Sequence, residues 1–177
     1  MAKFEVVSKY KDAGIVLPER KTVCSAGYDF QVAEDTLIQP YTYLMDRIRD
    51  AYPDYVTFSI DEMADATKKT NARPSLVPTG VKCQLEGDSY LELAIRSSSP
   101  LKYWLLLANS EGIIDADYYN NPSNEGEIFF QVINLSPYPI MLHKGDIIGQ
   151  GIIKKYNVTY NDAATGKRIG GMGSTSN

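Results

Sequence analysis

Apolar residues in this chain recur mostly with a period of two, in short runs. Leu91, Leu93 and Ile95 alternate with Glu92 and Ala94, the pattern of a strand with one face on a core. Runs of β character lie at residues 4–7, 28–32, 76–83, 90–95, 127–134 and 147–156. Phe129, Phe130, Val132 and Ile133 alternate less cleanly, as expected for a strand covered on both sides. Between the runs stand turn formers: Pro78-Thr79-Gly80, Glu86-Gly87-Asp88, Asn121-Pro122-Ser123-Asn124 and Lys144-Gly145-Asp146. Many short strands joined by polar turns predict an all-β sandwich or barrel.

One stretch departs from this rhythm. From 43 to 73 the character is helical, with Leu44 and Ile48 on one face. Ser59-Ile60-Asp61-Glu62 has the form of a capping box opening a helix over 60–69. Ile60, Met63 and Ala66 are then expected to face the body, and Lys68 and Lys69 suit the negative end of the helix dipole. Pro53 divides the segment into two halves. It reads as a helical insertion between two strands.

The length, 177 residues, suits one domain: residues 1–160 as a β domain and 161–177 as a flexible, glycine-rich tail. A net charge of -4 and a pI near 5.0 argue against a broad nucleic-acid or anionic-membrane surface. Anion binding must then come from a local cluster of donors. No apolar run approaches the ~20 residues of a membrane span, and the first residues lack a signal-peptide core. Cys24 and Cys83 form neither a disulfide framework nor a metal spacing, so a cytoplasmic setting is expected. His143 is the only histidine, which excludes a multi-histidine zinc site and disfavours a His-based triad. A carboxylate is the expected ionisable catalyst.

Five separated motifs carry the candidate chemistry. They are Ala26-Gly27-Tyr28-Asp29-Phe30; Arg96-Ser97-Ser98-Ser99; the run from Asn109 to Glu127, with Gly112-Ile113-Ile114-Asp115-Ala116-Asp117-Tyr118; Gly145-Asp146-Ile147-Ile148-Gly149-Gln150; and the tail, Arg168 to Asn177. In the tail, glycines leave backbone N–H groups open while Arg168, Ser174 and Thr175 add donors suited to phosphate oxygens. Taken alone, such a tail is more often a frayed terminus. Together and in this order, the motifs resemble those of the trimeric dUTP pyrophosphatase (dUTPase) family, from about Ala26 to Thr175. Leu76-Val77-Pro78-Thr79-Gly80 also resembles a connecting strand of that family.

The resemblance implies a β-barrel or jelly-roll homotrimer with shared sites, hydrolysing dUTP to dUMP and pyrophosphate with Mg²⁺. Such an enzyme keeps uracil out of DNA and supplies dUMP for thymidylate synthesis. Asp115 would be the general base, activating a water for attack on the α-phosphorus. Tyr118 would lie under the deoxyribose and exclude a 2′-hydroxyl, with neighbouring Tyr119 the better candidate for an ordinary core tyrosine. Asn109 would help recognise uracil, with backbone groups along 112–118, Gly112 and Ile114 among them. Arg96, Ser97 and Ser98 would grip the triphosphate from a neighbouring subunit. Gln150 would reach an α-phosphate oxygen or a metal-bound water, and Asp29 would act on Mg²⁺ through water. The tail would cover the site, with Arg168, Gly170, Gly171, Gly173, Ser174 and Thr175 at the β- and γ-phosphates.

The chain departs from the family pattern in four places. Met172 stands where a phenylalanine usually stacks on uracil, and Ser176 where a glycine usually follows Ser-Thr. Residues 119–125 intervene before Gly126-Glu127, as in variants from Gram-positive bacteria and their phages. The insertion at 43–73 replaces a short turn and offers a surface for a regulatory protein partner. A related deaminase acting on dCTP would need a glutamate near the base, and the Asp115-to-Tyr118 run fits the pyrophosphatase pattern better.

Overall fold

The computed structural model describes residues 1–166, 168, 170 and 171. Eleven strands form among these: β1 (Lys3–Val6), β2 (Tyr28–Gln31), β3 (Thr36–Ile38), β4 (Ser75–Pro78), β5 (Val81–Gln84), β6 (Ser89–Ile95), β7 (Leu105–Leu107), β8 (Gly112–Asp115), β9 (Phe129–Asn134), β10 (Ile140–Leu142) and β11 (Ile147–Lys155). Helices α1 (Tyr41–Ala51) and α2 (Ile60–Thr70) lie between β3 and β4, and α3 (Ser98–Tyr103) between β6 and β7.

The largest sheet runs β2-β11-β6-β8, and a second runs β4-β9-β7. Two-stranded sheets β1-β5 and β10-β3 complete the body, with every named pairing antiparallel. The layout is jelly-roll-like, and among the described residues the sheets do not close into one barrel. Phe30, Leu91, Leu93, Leu105, Ile128 and Phe130 are buried in the core between them. Phe4, Phe30 and Phe130 meet edge-on or tilted, at centroid separations of 5.5 and 5.8 Å. Such contacts add to the apolar burial that drives assembly.

Two expected strands take a different form. The run 76–83 is broken at Thr79-Gly80, because Gly80 takes a positive φ of 68°, and it yields β4 and β5 in different sheets. Strand β9 alternates after all: Phe130, Val132 and Asn134 are buried, while Phe129, Gln131 and Ile133 are partly exposed. Its apolar second face is explained by a cavity, described below, that Phe129 and Gln131 line.

The insertion has a small core of its own, Ile48, Ala66 and Ala72 with Leu44, Met45, Tyr52 and Phe58. The capping box is present. The Ser59 N–H donates to Glu62 Oε2 at 2.9 Å, and the Glu62 N–H donates to Ser59 Oγ at 3.3 Å. Asn71 closes α2 in the left-handed conformation. The expected inward face is corrected: Ala66 is fully buried, but Ile60 is 89% and Met63 37% exposed. Helix α2 packs beside α1 through Ala66, with Ala72 just past its end, so its first turn points to solvent.

Candidate active site

Asp115 is the last residue of β8, an edge strand paired with β6 in the register Tyr90 to Asp115, Leu91 to Ile114 and Leu93 to Gly112. The chain then tightens into a single 3₁₀ turn over Ala116–Tyr118. This turn carries Tyr118 inward to 2% exposure, and its ring joins the main core. The Tyr118 hydroxyl donates to the Glu127 carbonyl oxygen at 3.1 Å and accepts from Asn124 Nδ2 at 2.7 Å. The core tyrosine expected at Tyr119 is corrected: Tyr118 is the buried ring, while partly exposed Tyr119 turns its hydroxyl to Glu5. Tyr118 also lines the cavity described below. Gly126, at φ 77°, lies against the Tyr118 carbonyl oxygen, where any Cβ would overlap it.

Beside Asp115 opens a cavity of about 270 Å³. Leu93, Leu107 and Phe129 give it an apolar floor, and Asn109, Gln131, Asp115 and Arg168 supply polar groups. An apolar cleft with a few convergent polar groups is the usual form of a small-molecule site. Asn109 is placed by the β7–β8 turn, in which Ala108 N–H donates to Gln131 O at 2.8 Å and Ser110 takes a positive φ of 62°. Gly112, Ile114 and Tyr118 line the same cavity.

Arg168 closes one side. Its Nε donates to Asp117 Oδ1 at 2.8 Å, an Nη donates to the Asp115 carboxylate, and the guanidinium stands 5.6 Å from the Tyr118 ring centroid. Sequence reasoning missed Asp117 as the arginine's second partner and Phe129 and Gln131 as lining. The spacing of Asp115 and Asp117 hinted at the first; nothing local marked the others. Gly170 and Gly171 rest near Asn121 and Ser123. Met172, Gly173, Ser174 and Thr175 lie outside the described residues.

The other motif residues gather elsewhere. Gln150 on β11 faces Asp29 on β2 and Ala94 on β6 in one cross-strand row, which puts their side chains on one face of the sheet. Gly27 packs under the Gln150 side chain, where a Cβ would overlap it. Arg96 and Ser98 line a separate cleft of about 370 Å³ with Asp146, and exposed Ser97 stands at the N-cap position of α3 without a side-chain capping bond. The Ser-rich segment opens a short helix. His143 N–H donates to Asp146 Oδ2 at 2.8 Å, the turn-forming role expected of that loop.

Asp29 and Asp115 stand on opposite edges of the four-stranded sheet. Three strand spacings separate them by ~14 Å, and a four-residue offset along β6 adds ~13 Å in the other direction. Within one chain the motifs thus fall into two groups. One surrounds Asp115; the other holds Asp29, Arg96 and Gln150. Among the described residues no three His, Cys, Asp or Glu side chains gather as a metal cage. Asp29 beside Gln150 offers one carboxylate, a donor set suited to Mg²⁺ carried on phosphates and largely hydrated.

No helix among the described residues is long and apolar enough to cross a membrane. No family model matches the chain. It is 38% identical over 174 residues to the deoxyuridine 5′-triphosphate nucleotidohydrolase of Lactococcus lactis subsp. lactis (strain IL1403), covering 97% of this chain and 95% of that one. It is 36% identical over 106 residues to the enzyme of that name from Rickettsia peacockii (strain Rustic), covering 57% and 68% respectively. The dUTPase structure from Streptococcus mutans superposes with a TM-score of 0.67 at 35% identity, covering 88% of this chain and 97% of that one. A dUTPase from phage phi11 of S. aureus shares the fold at a TM-score of 0.61 and 15% identity, covering 93% and 96%. With near full-length coverage of the Lactococcus relative, the chain belongs to the deoxyuridine 5′-triphosphate nucleotidohydrolase (dUTPase) family.

Proposed function

We propose that this chain hydrolyses dUTP to dUMP and pyrophosphate, with Asp115 as general base. The observation that carries the reading is the Asp115 cavity. It has a carboxylate at its edge, a turn amide side chain at Asn109, a buried tyrosine ring and a cation from the tail. In the reaction, a water oxygen bonds to the α-phosphorus while Asp115 accepts the water proton. The bond from the α-phosphorus to the bridging oxygen of the β-phosphate breaks, and pyrophosphate leaves. A positioned base of this kind contributes roughly 10²–10⁴-fold.

Asn109 and the backbone of 112–115 fit the recognition of uracil, and the Tyr118 ring fits against the deoxyribose, where a 2′-hydroxyl would clash. Arg168 faces two carboxylates here; with substrate bound, its fork would turn to phosphate oxygens, which it matches bidentately. Asp29 would steady Mg²⁺ through water, and the ion would supply charge neutralisation at the phosphates. The distance between the two residue groups supports a site shared between copies, a homotrimer by family resemblance, in which Arg96, Ser98 and Gln150 serve the Asp115 cavity of another copy. Keeping uracil from DNA and supplying dUMP are the cellular roles such turnover would serve.

A nucleotide panel tests the reading. Pyrophosphate release is expected from dUTP, with little from UTP, dTTP or dCTP, and with dependence on Mg²⁺. Comparable turnover of UTP would remove the role given to Tyr118. Deamination of dCTP is the competing outcome, and no glutamate lines the cavity among the described residues.

A second reading concerns the insertion. Val56 and Ile60 are both largely exposed on it, and Tyr55 and Met63 are exposed in part, apolar surface that a protein partner would cover. Deletion of residues 43–73 should leave turnover and trimerisation intact; loss of either would give the insertion a role inside the enzyme.

A further inference from the structure

The loop 119–125 is fastened to the body on one side. Glu125 Oε2 accepts from the Ser8 N–H at 3.2 Å and the Ser8 hydroxyl at 3.0 Å. Lys82 Nζ donates to Asn120 Oδ1 at 2.6 Å and stands 5.2 Å from the Tyr119 ring centroid, whose hydroxyl reaches Glu5. These contacts tie the loop to β1 and β5.

Asn121 occupies the other side and is 3% exposed. Its backbone N–H donates to the Tyr118 carbonyl at 3.1 Å. Its Oδ1 accepts from the Ser123 N–H at 3.0 Å and from the Ser123 hydroxyl at 2.7 Å. That pairing fixes the amide's orientation and turns Nδ2 outward, where it donates to the Gly170 carbonyl at 2.8 Å. The neighbouring Gly171 lies close enough to the loop that a Cβ there would stand 3.1 Å from Ser123 Oγ. A buried amide bonded to the backbone of a distant segment fixes that backbone, because losing the bond strands a desolvated donor. Gly170 is two residues from Arg168, and a residue spans at most ~3.6 Å. Where Gly170 rests therefore limits where the guanidinium can reach.

We propose that Asn121 is a positioning residue that seats the tail at Gly170 and thereby holds Arg168 over Asp115 and Tyr118. The loop 119–125 is, on this view, a saddle anchored on β1 and β5 rather than a passive rim. The kinetic consequence rests on the proposed dUTP hydrolysis; the seating itself does not.

Asn121→Asp separates the two functions of the side chain. It keeps an oxygen for Ser123 and removes the donor to Gly170. Trypsin cleavage after Arg168, followed by mass spectrometry of the released 169–177 peptide, reads the seating directly. Loss of one such hydrogen bond is expected to speed cleavage about 2–10-fold, and to lower kcat/KM for dUTP by a similar factor. In a chain ending at Ile169, which lacks Gly170, the same substitution should have no further effect on kcat/KM. Ser123→Ala, which keeps the Ser123 N–H on Asn121 Oδ1 and the Asn121–Gly170 bond itself, should be accelerated less than Asn121→Asp. Unchanged cleavage in Asn121→Asp, equal acceleration in Ser123→Ala, or an undiminished kinetic loss in the shortened chain would each overturn the inference. If the unaltered protein does not hydrolyse dUTP, the hydrolysis reading fails and the cleavage assay alone decides the seating.

Discussion

The Asp115 group lies at one edge of the large sheet and the Asp29–Gln150 group on the two strands at its other side, yet they are different kinds of site. Around Asp115, a single chain supplies floor, wall and cation: β8, the turn after it, β9 and the returning tail all meet there. Around Gln150, polar side chains stand in a row on one sheet face, and Arg96 and Ser98 line a different cleft. The first is a lined cavity and the second a cross-strand row of polar groups. Topology thus divides motifs that read as a single set in sequence. Each chain builds its own Asp115 cavity, and on the proposed reading its Arg96 and Gln150 would serve a neighbour's.

The largest expected effect breaks the first group. Asp115→Asn should lower kcat for dUTP roughly 10²–10⁴-fold, the range for a lost general base. Calorimetry should find the nucleotide still bound, since binding rests on other groups; abolished binding would give Asp115 a different role. Gly27→Ala strikes the second group by pushing aside the Gln150 side chain. A fall in kcat/KM of about tenfold is expected, the value of about one hydrogen bond to a charged oxygen. Its melting temperature should barely move. A large drop in stability with normal kinetics would make the Gly27–Gln150 contact purely structural.

Gly126→Ala tests how firmly the first group is braced from behind. A Cβ there overlaps the Tyr118 carbonyl and must sit at positive φ. A loss of about 1–3 kcal/mol of stability is expected, with weaker dUTP binding as Tyr118 shifts. A melting temperature equal to that of the unaltered protein would show the turn to be slack.

Much of the β body was legible because alternation over five or more residues carries a clear signal, as at 90–95. The capping box at Ser59 and Glu62 was legible for a local reason, since both partners lie within one helical turn. Strands β3, β7 and β10 are three residues each, too short to display a period. Helix α3 hid beneath a Ser-rich stretch whose propensity favours turns. Ile60 and Met63 were placed inward because helical spacing fixes which residues share a face, but not which face a neighbour covers. For the same reason sequence could not tell Tyr118 from Tyr119: the 3₁₀ turn decides which ring points inward. The seat at Asn121 depends on a contact across 49 residues, which no local pattern announces.

The smallest effect concerns Glu127, whose carbonyl holds the Tyr118 hydroxyl and whose carboxylate accepts from the Gly80 N–H at 3.1 Å. Burial pushes the Glu127 carboxyl above its ordinary 4.5, partly offset by the Gly80 bond. The fold therefore favours the protonated form. Its stabilising contribution is complete below pH 4.5 and is lost as pH rises through the raised folded value. Glu127→Gln keeps the acceptor without the charge, so it should raise the melting temperature at pH 7 and give no gain near pH 4. A gain that grows on acidification would reverse the assignment.

Subunit mixing tests most directly whether one active site is assembled from two copies of the chain. Asp115→Asn and Arg96→Ala chains, each nearly inactive alone, are unfolded together, refolded as mixed oligomers and assayed for pyrophosphate release from dUTP. With random assortment, about a quarter of the sites should pair an intact Asp115 with an intact Arg96 from a neighbour, and about a quarter of the wild-type rate should return. Mixed oligomers as inactive as either parent would contradict the shared site.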